Sequence, residues 1–385
     1  MRNTHVSEME SSESDTESMS KSRFLPRGAF QGLLDVLRRE GYRCVGPQVR
    51  DGAIVYDDLE SVAQLPHGTL QHQEPGSYRL ENDGGPRCFA WANGPQALKP
   101  YLFTPRESLW TVTRDADGRL AFRATPPRPQ ALAFIGARAC DIAALRLQDA
   151  HFLGSKTPDT AYAARRDGLL LIAVNCMHPA DTCFCHSTGD GPRVPDDGAD
   201  IVLSELDEGF VITDGSERGA AVVDQLATVS VTDAQVHHAD DQIAAAAVQQ
   251  RRLPSGNLNT LLKERLEHPR WHAVAERCLS CGNCTSVCPS CFCSGEQDVP
   301  TLTGEASTHE RSWDSCFTRA HSYIHGHVVH AGTRERYRQW LTHKLATWHD
   351  QYGRSGCVGC GRCISWCPVG IDLTNEVAEI TGGSQ

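Results

Sequence analysis

The stretch CLSCGNCTSVCPSCFC, Cys278 to Cys293, decides how this chain is read. Cys278, Cys281, Cys284 and Cys288 follow one another at steps of three, three and four, and Pro289 trails the last. The same pattern returns as Cys357, Cys360, Cys363 and Cys367 followed by Pro368. A cubane [4Fe–4S] cluster takes four thiolates; a tight loop supplies three, while its fourth cysteine points away. In two-cluster ferredoxins that fourth cysteine ligates the other cluster. Transferred to this sequence, Cys278, Cys281, Cys284 and Cys367 hold one cluster, and Cys357, Cys360, Cys363 and Cys288 hold the other. Gly282, Gly359 and Gly361 suit loops that turn sharply around sulfur. Zinc also accepts four thiolates at such spacing, but two complete copies with a trailing proline point to iron–sulfur. The crossed pairing requires the long insert between the loops to fold back and bring them together.

Working outward, the surplus thiols stand out. The chain has 17 cysteines, an odd number bunched at short spacings, which suits a metal protein in a reducing compartment better than a disulfide framework. Cys44 and Cys88 are isolated and read as small buried residues. Cys140 follows the apolar run Ala131–Gly136, Cys176 ends the run 169–176, and Cys183 and Cys185 come just beyond. Strand ends are where an α/β sheet presents functional residues. These four form a candidate third iron–sulfur or metal site, with Asp141 as an alternative ligand, against the plain reading of buried or loop thiols. Cys291, Cys293 and Cys316 make a second leftover set, too few for a closed cubane, whose plain reading is shielding of the neighbouring cluster.

The rest of the chain bounds the function. A formal charge of −11 argues against a nucleic-acid or anionic-membrane surface. The start, residues 1–23, is Ser-rich, acidic and without an apolar core, and reads as a disordered tail. No apolar run spans a bilayer, so the expected location is the cytoplasm. Apolar periodicity predicts a helix from Phe30 to Gly41, strands at Ala53–Tyr56, 131–136 and 169–176, a β-pair over 199–216, and an Ala-rich helix over 233–250. The expected fold is an α/β N-terminal domain over 24–254, then an α-helical two-[4Fe-4S] ferredoxin-type C-terminal domain over 255–385. Between its cluster loops, a helical region is expected near 314–350. His321, His325, His327 and His330 read as helix surface, since no haem attachment motif is present. Arg334, Arg336, Arg338 and Lys344 read as a solvated face or a dock for an acidic partner. With no Gly-x-Gly-x-x-Gly after a strand and no P-loop, a nucleotide site is not indicated.

Taken together, GPQALKPYLFTPRESLW, GARACDIAALRLQD, NCMHPADTCFCHSTGDGP, CLSCGNCTSVCPSCFC, RSWDSC and GCVGCGRCISWCPVGID resemble the iron–sulfur β subunit of cytoplasmic [NiFe] hydrogenase/sulfur reductase complexes (sulfhydrogenases). The corresponding iron–sulfur subunit of anaerobic sulfite reductase is similar. The resemblance spans roughly residues 45–373. It implies a non-catalytic electron-transfer subunit relaying electrons through [4Fe–4S] clusters, with the small and large subunits of a [NiFe] hydrogenase on one side and a flavin/NAD(P)H diaphorase subunit on the other. The alternatives are a partner sirohaem sulfite reductase subunit, or direct reduction of sulfur or a disulfide at the N-terminal site.

Overall fold

The computed structural model describes residues 22–127 and 130–383. Most of the expected tail, residues 1–21, lies outside them, and Ser22 and Arg23 already belong to the strand Ser22–Pro26. Two runs dictate the centre of the fold. In Leu132–Ala137 and Leu169–Val174 every residue is buried, as expected of strands covered on both faces. They pair in parallel with each other, with Arg43–Arg50 on one side and with Ile201–Glu205 on the other. Antiparallel strands complete an eight-stranded sheet: Ala53–Asp58 at one edge, then Gly209–Asp214, Ser22–Pro26 and Val229–Ser230 at the other.

Side chains alternate across this sheet, so its two faces build separate cores. Ala133, Ile135, Leu170 and Ile172 meet Leu33, Leu34 and Leu37 of the helix Gln31–Arg39 and Val222 and Val223 of the helix Glu217–Val223. Phe134, Leu171 and Ala173 meet Ile142, Leu145 and Phe152 of the helix Ala139–Phe152 and Tyr162 of Thr160–Asp167. The result is a three-layer α/β arrangement.

C-terminal to this lies a helical core in which Leu262, Trp271, Val274, Tyr337, Trp340, Leu345, Val377 and Ile380 gather around several of the cysteines. The insert between the cluster loops is not the long helix expected. Ser294–Pro300 and Ala306–Trp313 form a hairpin, and the second of these strands pairs antiparallel with Arg106–Arg114 from the N-terminal half. With Leu120–Ala124 they make a four-stranded sheet that ties the two halves of the chain together. After a single 3-10 turn at Ala320–Ser322, α-helix begins at Thr333 and runs to Tyr352, through a π-turn at His343–Thr347. The histidine-rich segment is a small hairpin, Tyr323–Ile324 against His327–Val328, and His325 at its tip has φ +48°. That backbone cannot continue a helix, so the expected helical spacing of His321 and His325 does not arise.

Candidate iron–sulfur centres

The first loop leaves the helix Arg270–Arg277 at Cys278 and turns through Gly282, whose φ is +73°. The second leaves the turn after Tyr352 and turns through Gly359 and Gly361. The glycines of this second loop are sterically required. A Cβ on Gly359 would sit 2.5 Å from Cys185 Cα, and one on Gly361 would sit 2.4 Å from the Thr182 carbonyl oxygen. The upstream Cys-Phe-Cys segment is therefore the wall against which the second loop is pressed. Phe184 N donates to Gly359 O at 2.8 Å, and Asn93 Nδ2 to Cys360 O at 2.8 Å.

Two cavities result. One is lined by Cys278, Cys281, Cys284 and Cys367; the other by Cys288, Cys357 and Cys360; Cys363 and Trp340 border both. Each cavity thus holds cysteines of one loop together with the last cysteine of the other, because the insert folds back and the loops meet. The link includes a hydrogen bond from Asn283 Nδ2 to Trp366 O.

The cavities fit an anionic, sulfur-ligated group. The Ser280 amide donates to Cys278 Sγ at 3.4 Å and the Ile371 amide to Cys367 Sγ at 3.3 Å. Tyr337 Oη and Trp340 Nε1 are buried without a hydrogen-bond partner among the described residues, and both residues line the first cavity. Buried donors normally have partners, so these two are free for a bound cluster. Lys344 lines the second cavity and is only 5% exposed. Its Nζ donates to Ser290 Oγ at 3.0 Å and Gly356 O at 3.2 Å, and among the described residues no carboxylate pairs with it. Burial works against its charge, but the thiols of Cys288, Cys291 and Cys357 hold the ammonium pKa well above its usual value. Lys99, also buried, approaches Cys288 O at 3.4 Å. Burial pushes the thiols of Cys284 and Cys363 well up, and neighbouring thiols add to it; a bound cation is what keeps such sulfurs as thiolates. Among the described residues, no three His, Cys, Asp or Glu side chains form a group suited to a single ion. Cubane ligands bind four different irons and stand further apart.

Cys140, Cys176, Cys183 and Cys185 are all buried. Cys140 and Cys185 pack with Cys360 in one apolar cluster, and Cys183 Sγ lies 3.8 Å from Cys360 O. Asp141 is engaged elsewhere: its Oδ1 stands 2.9 Å from Arg362 Nη1, and its Oδ2 accepts from the Arg138 amide at 3.1 Å. Cys291 is buried beside Cys288, whereas Cys293 and Cys316 are half-buried on the side of His321. Cys88 is buried near His67, and Cys44 sits in the sheet core. Of the four residues read as a solvated face or a basic dock, Arg334 and Arg338 pair with Glu267, Arg336 caps the carbonyls of His330, Phe317 and Ala331, and Lys344 is buried. Sequence reasoning missed Lys99, Tyr337 and Trp340, and placed Lys344 on the surface. The tryptophans and leucines that flank the lysine in WLTHKLATW were the available signal for Lys344.

The 4Fe-4S dicluster domain family matches residues 277–371, the segment that contains both loops. Sulfhydrogenase 2 subunit beta of Pyrococcus furiosus is 29% identical over 339 residues, covering 85% of this chain and 95% of that one. The chain is a homologue of an iron–sulfur sulfhydrogenase β subunit. The matched domain supports iron–sulfur clusters in this chain. No solved structure matches. Among the described residues, no helix is long and apolar enough to cross a membrane.

Proposed function

We propose that the chain relays electrons singly through two [4Fe–4S] clusters, one held by Cys278, Cys281, Cys284 and Cys367, the other by Cys357, Cys360, Cys363 and Cys288. The observation that carries this is the shared wall: Cys363 and Trp340 border both cavities, so the two sites are neighbours. A bound [4Fe–4S] cluster supplies reversible one-electron exchange. The protein's part is to exclude water with Phe317, Trp340 and Phe184, to aim amides at the sulfurs, and to balance charge with Lys344. In the fuller reading the chain works in the cytoplasm, within a complex, between a [NiFe] hydrogenase module and a flavin/NAD(P)H subunit. The lack of a nucleotide motif supports assigning the NAD(P)H step to a partner. Co-purification with a sirohaem subunit instead would move it to sulfite reduction.

The convergence of Cys140, Cys176, Cys183 and Cys185 beside Cys360 supports a second reading, a third iron–sulfur cluster there. Iron analysis of anaerobically purified protein separates the two: two clusters require about eight irons per chain and three cubanes about twelve. With two clusters, Cys183→Ser leaves the iron content unchanged, whereas Cys281→Ser and Cys360→Ser each lower it and stop electron flow. Full iron and full transfer in those last two variants would falsify the ligand assignment.

A further inference from the structure

The C-terminal ends of the two central strands carry a buried charge that the described residues do not balance. Arg138 and Cys140 follow the strand Leu132–Ala137, and Asn175 and Cys176 follow Leu169–Val174. Arg138 Nε donates to Ala92 O at 3.2 Å, its Nη1 to Asn175 O at 3.4 Å, and its Nη2 to Phe89 O at 2.9 Å and to Trp91 O. The guanidinium carbon lies 4.5 Å from the centre of the Trp91 ring. Carbonyls and a ring meet its donors, but among the described residues no carboxylate pairs with its guanidinium. Asp141 accepts the Arg138 backbone amide at 3.1 Å, and its other oxygen stands 2.9 Å from Arg362 Nη1. Arg138, Asp141 and Arg362 are each no more than 2% exposed. Two guanidinium groups against one carboxylate leave one positive charge inside, and guanidinium stays protonated in proteins. Arg362 Nη2 also lacks a hydrogen-bond partner among the described residues. Buried charges are paired and buried donors satisfied, so this site calls for an anionic group.

Four thiols surround the same place. Ala92, whose carbonyl takes Arg138, packs with Cys176 and Cys183. Asn93 Nδ2 reaches Cys183 Sγ at 3.8 Å and donates to Cys360 O at 2.8 Å. A Cβ placed on Gly191 would lie 3.0 Å from Cys185 Sγ and 3.3 Å from the Cβ of Ala139, the residue between Arg138 and Cys140. The next residue, Pro192, accepts from the Cys176 amide at 3.2 Å. Cys140 and Cys185 pack with Cys360. Gln249 Nε2 donates to Cys185 Sγ at 3.2 Å, the kind of hydrogen bond that cluster sulfurs accept.

We infer that Arg138 is the counter-cation of a third [4Fe–4S] cluster held by Cys140, Cys176, Cys183 and Cys185, and that Cys360 is where this site meets the second cluster. Arg138 has this role only on the third-cluster reading of the four thiols; what is added is the residue that balances their charge and the side on which they join the relay. One electron passing from the second cluster adds one negative charge at the strand ends and removes one beside Lys344. Arg138 stabilises the added charge, and no proton moves and no covalent bond changes. Asp141 acts in the opposite sense, because its carboxylate offsets part of the positive charge of the two arginines.

The test uses the full chain, purified anaerobically, with iron, acid-labile sulfide and zinc measured together and the clusters titrated by electron paramagnetic resonance. About twelve irons with matching sulfide are expected, and Cys183→Ser is expected to fall to about eight and to lose one titrating signal. Arg138→Gln keeps a donor for the carbonyls and removes the charge. It is expected to shift the electron from that signal toward the second cluster by about 10-fold, which is about 59 mV for one electron. Arg138→Lys keeps the charge and is expected to titrate near wild type. Asp141→Asn removes the carboxylate and is expected to move the same signal the opposite way, so the sign is read even where Arg138→Gln does not fold. About eight irons in the wild type, or zinc in place of the missing irons, overturn the third cluster and the role of Arg138 with it. About twelve irons with equal potentials in wild type, Arg138→Gln and Asp141→Asn leave the cluster standing and overturn Arg138 as its counter-cation. Iron loss in Asp141→Asn makes Asp141 a ligand and overturns the four-thiol assignment. The two-cluster relay is judged separately, by Cys281→Ser and Cys360→Ser.

Discussion

The two cluster loops are nearly the same in sequence and sit in opposite physical environments. Leu279 in the first loop and Val358 in the second hold the same position, one after the opening cysteine. Leu279 is 64% exposed, Val358 2%. One residue further, Ser280 and Gly359 both adopt a positive φ, +51° and +64°. Ser280 is half-buried and donates its hydroxyl to Thr333 Oγ1 at 3.0 Å, whereas Gly359 lies against the backbone of Cys185. Cys281 is exposed, and Cys360 is buried. The loop motif therefore sets the local geometry of the thiols, while the partner surface sets their solvation and charge. The first loop has an open rim; the second is walled in by the α/β half and flanked by Lys344.

The sharpest way to break this comparison is to exchange the residues at the left-handed position. Gly359→Ser adds a Cβ where backbone atoms already stand within 2.6 Å, on a backbone that disfavours any side chain. Strain and overlap together are expected to cost about 3 kcal/mol or more. In Ser280→Gly the relief of a left-handed serine, about 1 kcal/mol, is offset by the lost hydroxyl bond of about 1 kcal/mol. That variant is expected to unfold within about 1 kcal/mol of wild type. Denaturant unfolding of the iron-loaded protein measures both. Equal costs would mean that the wall formed by Phe184 and Cys185 does not press on the second loop.

Charge provides the next contrast. Lys344 borders the second cavity and, among the described residues, has no carboxylate partner, while none of the described residues lining the first cavity is a lysine or arginine. A nearby positive charge stabilises the more negative, reduced state of a cluster. Removing it in Lys344→Met is expected to lower the potential of the second cluster by on the order of 100 mV, taking a few ångströms' separation and an effective dielectric near 20. The first cluster is expected to move far less. Redox titration followed by electron paramagnetic resonance distinguishes the two signals, and equal shifts in both would remove Lys344 as a selective charge.

These contrasts also mark what was legible in the amino-acid order. The central strands were, because 132–137 and 169–174 are apolar throughout and only a doubly covered strand tolerates that. The crossed pairing transferred from ferredoxin spacing required the loops to meet, but the spacing did not say how the insert would fold back. The hairpin 294–313 was not legible. Its first strand is mostly exposed and its second uniformly half-buried, so neither shows the alternation that betrays a strand, and its partner lies nearly two hundred residues upstream. Lys344 was misplaced for a related reason: a lysine on a helix reads as solvated unless the anion that offsets its burial is known. The position of Asp141, next to Cys140, suggested a ligand; its partner Arg362 comes from the second cluster loop, and only the assembled fold brings the two together.

The smallest effects test the contrast at the paired apolar positions. Val358→Ala removes two methyl groups from a site packed by Cys140, Cys185 and Trp348, and the cavity left behind adds to the lost burial. The expected cost is about 2 kcal/mol. Leu279→Ala acts on a side chain already in water and is expected to change stability by no more than about 0.5 kcal/mol. Its effect should appear instead where two proteins meet. Leu279 and Val369 are exposed apolar residues lining the first cavity, beside the exposed Cys281. If electrons leave by that rim, Leu279→Ala raises the KM for a protein electron acceptor and leaves the rate with a small viologen dye unchanged. Equal loss with the dye would place the defect in the cluster itself, and no change with either would mean that electrons do not cross at the first loop.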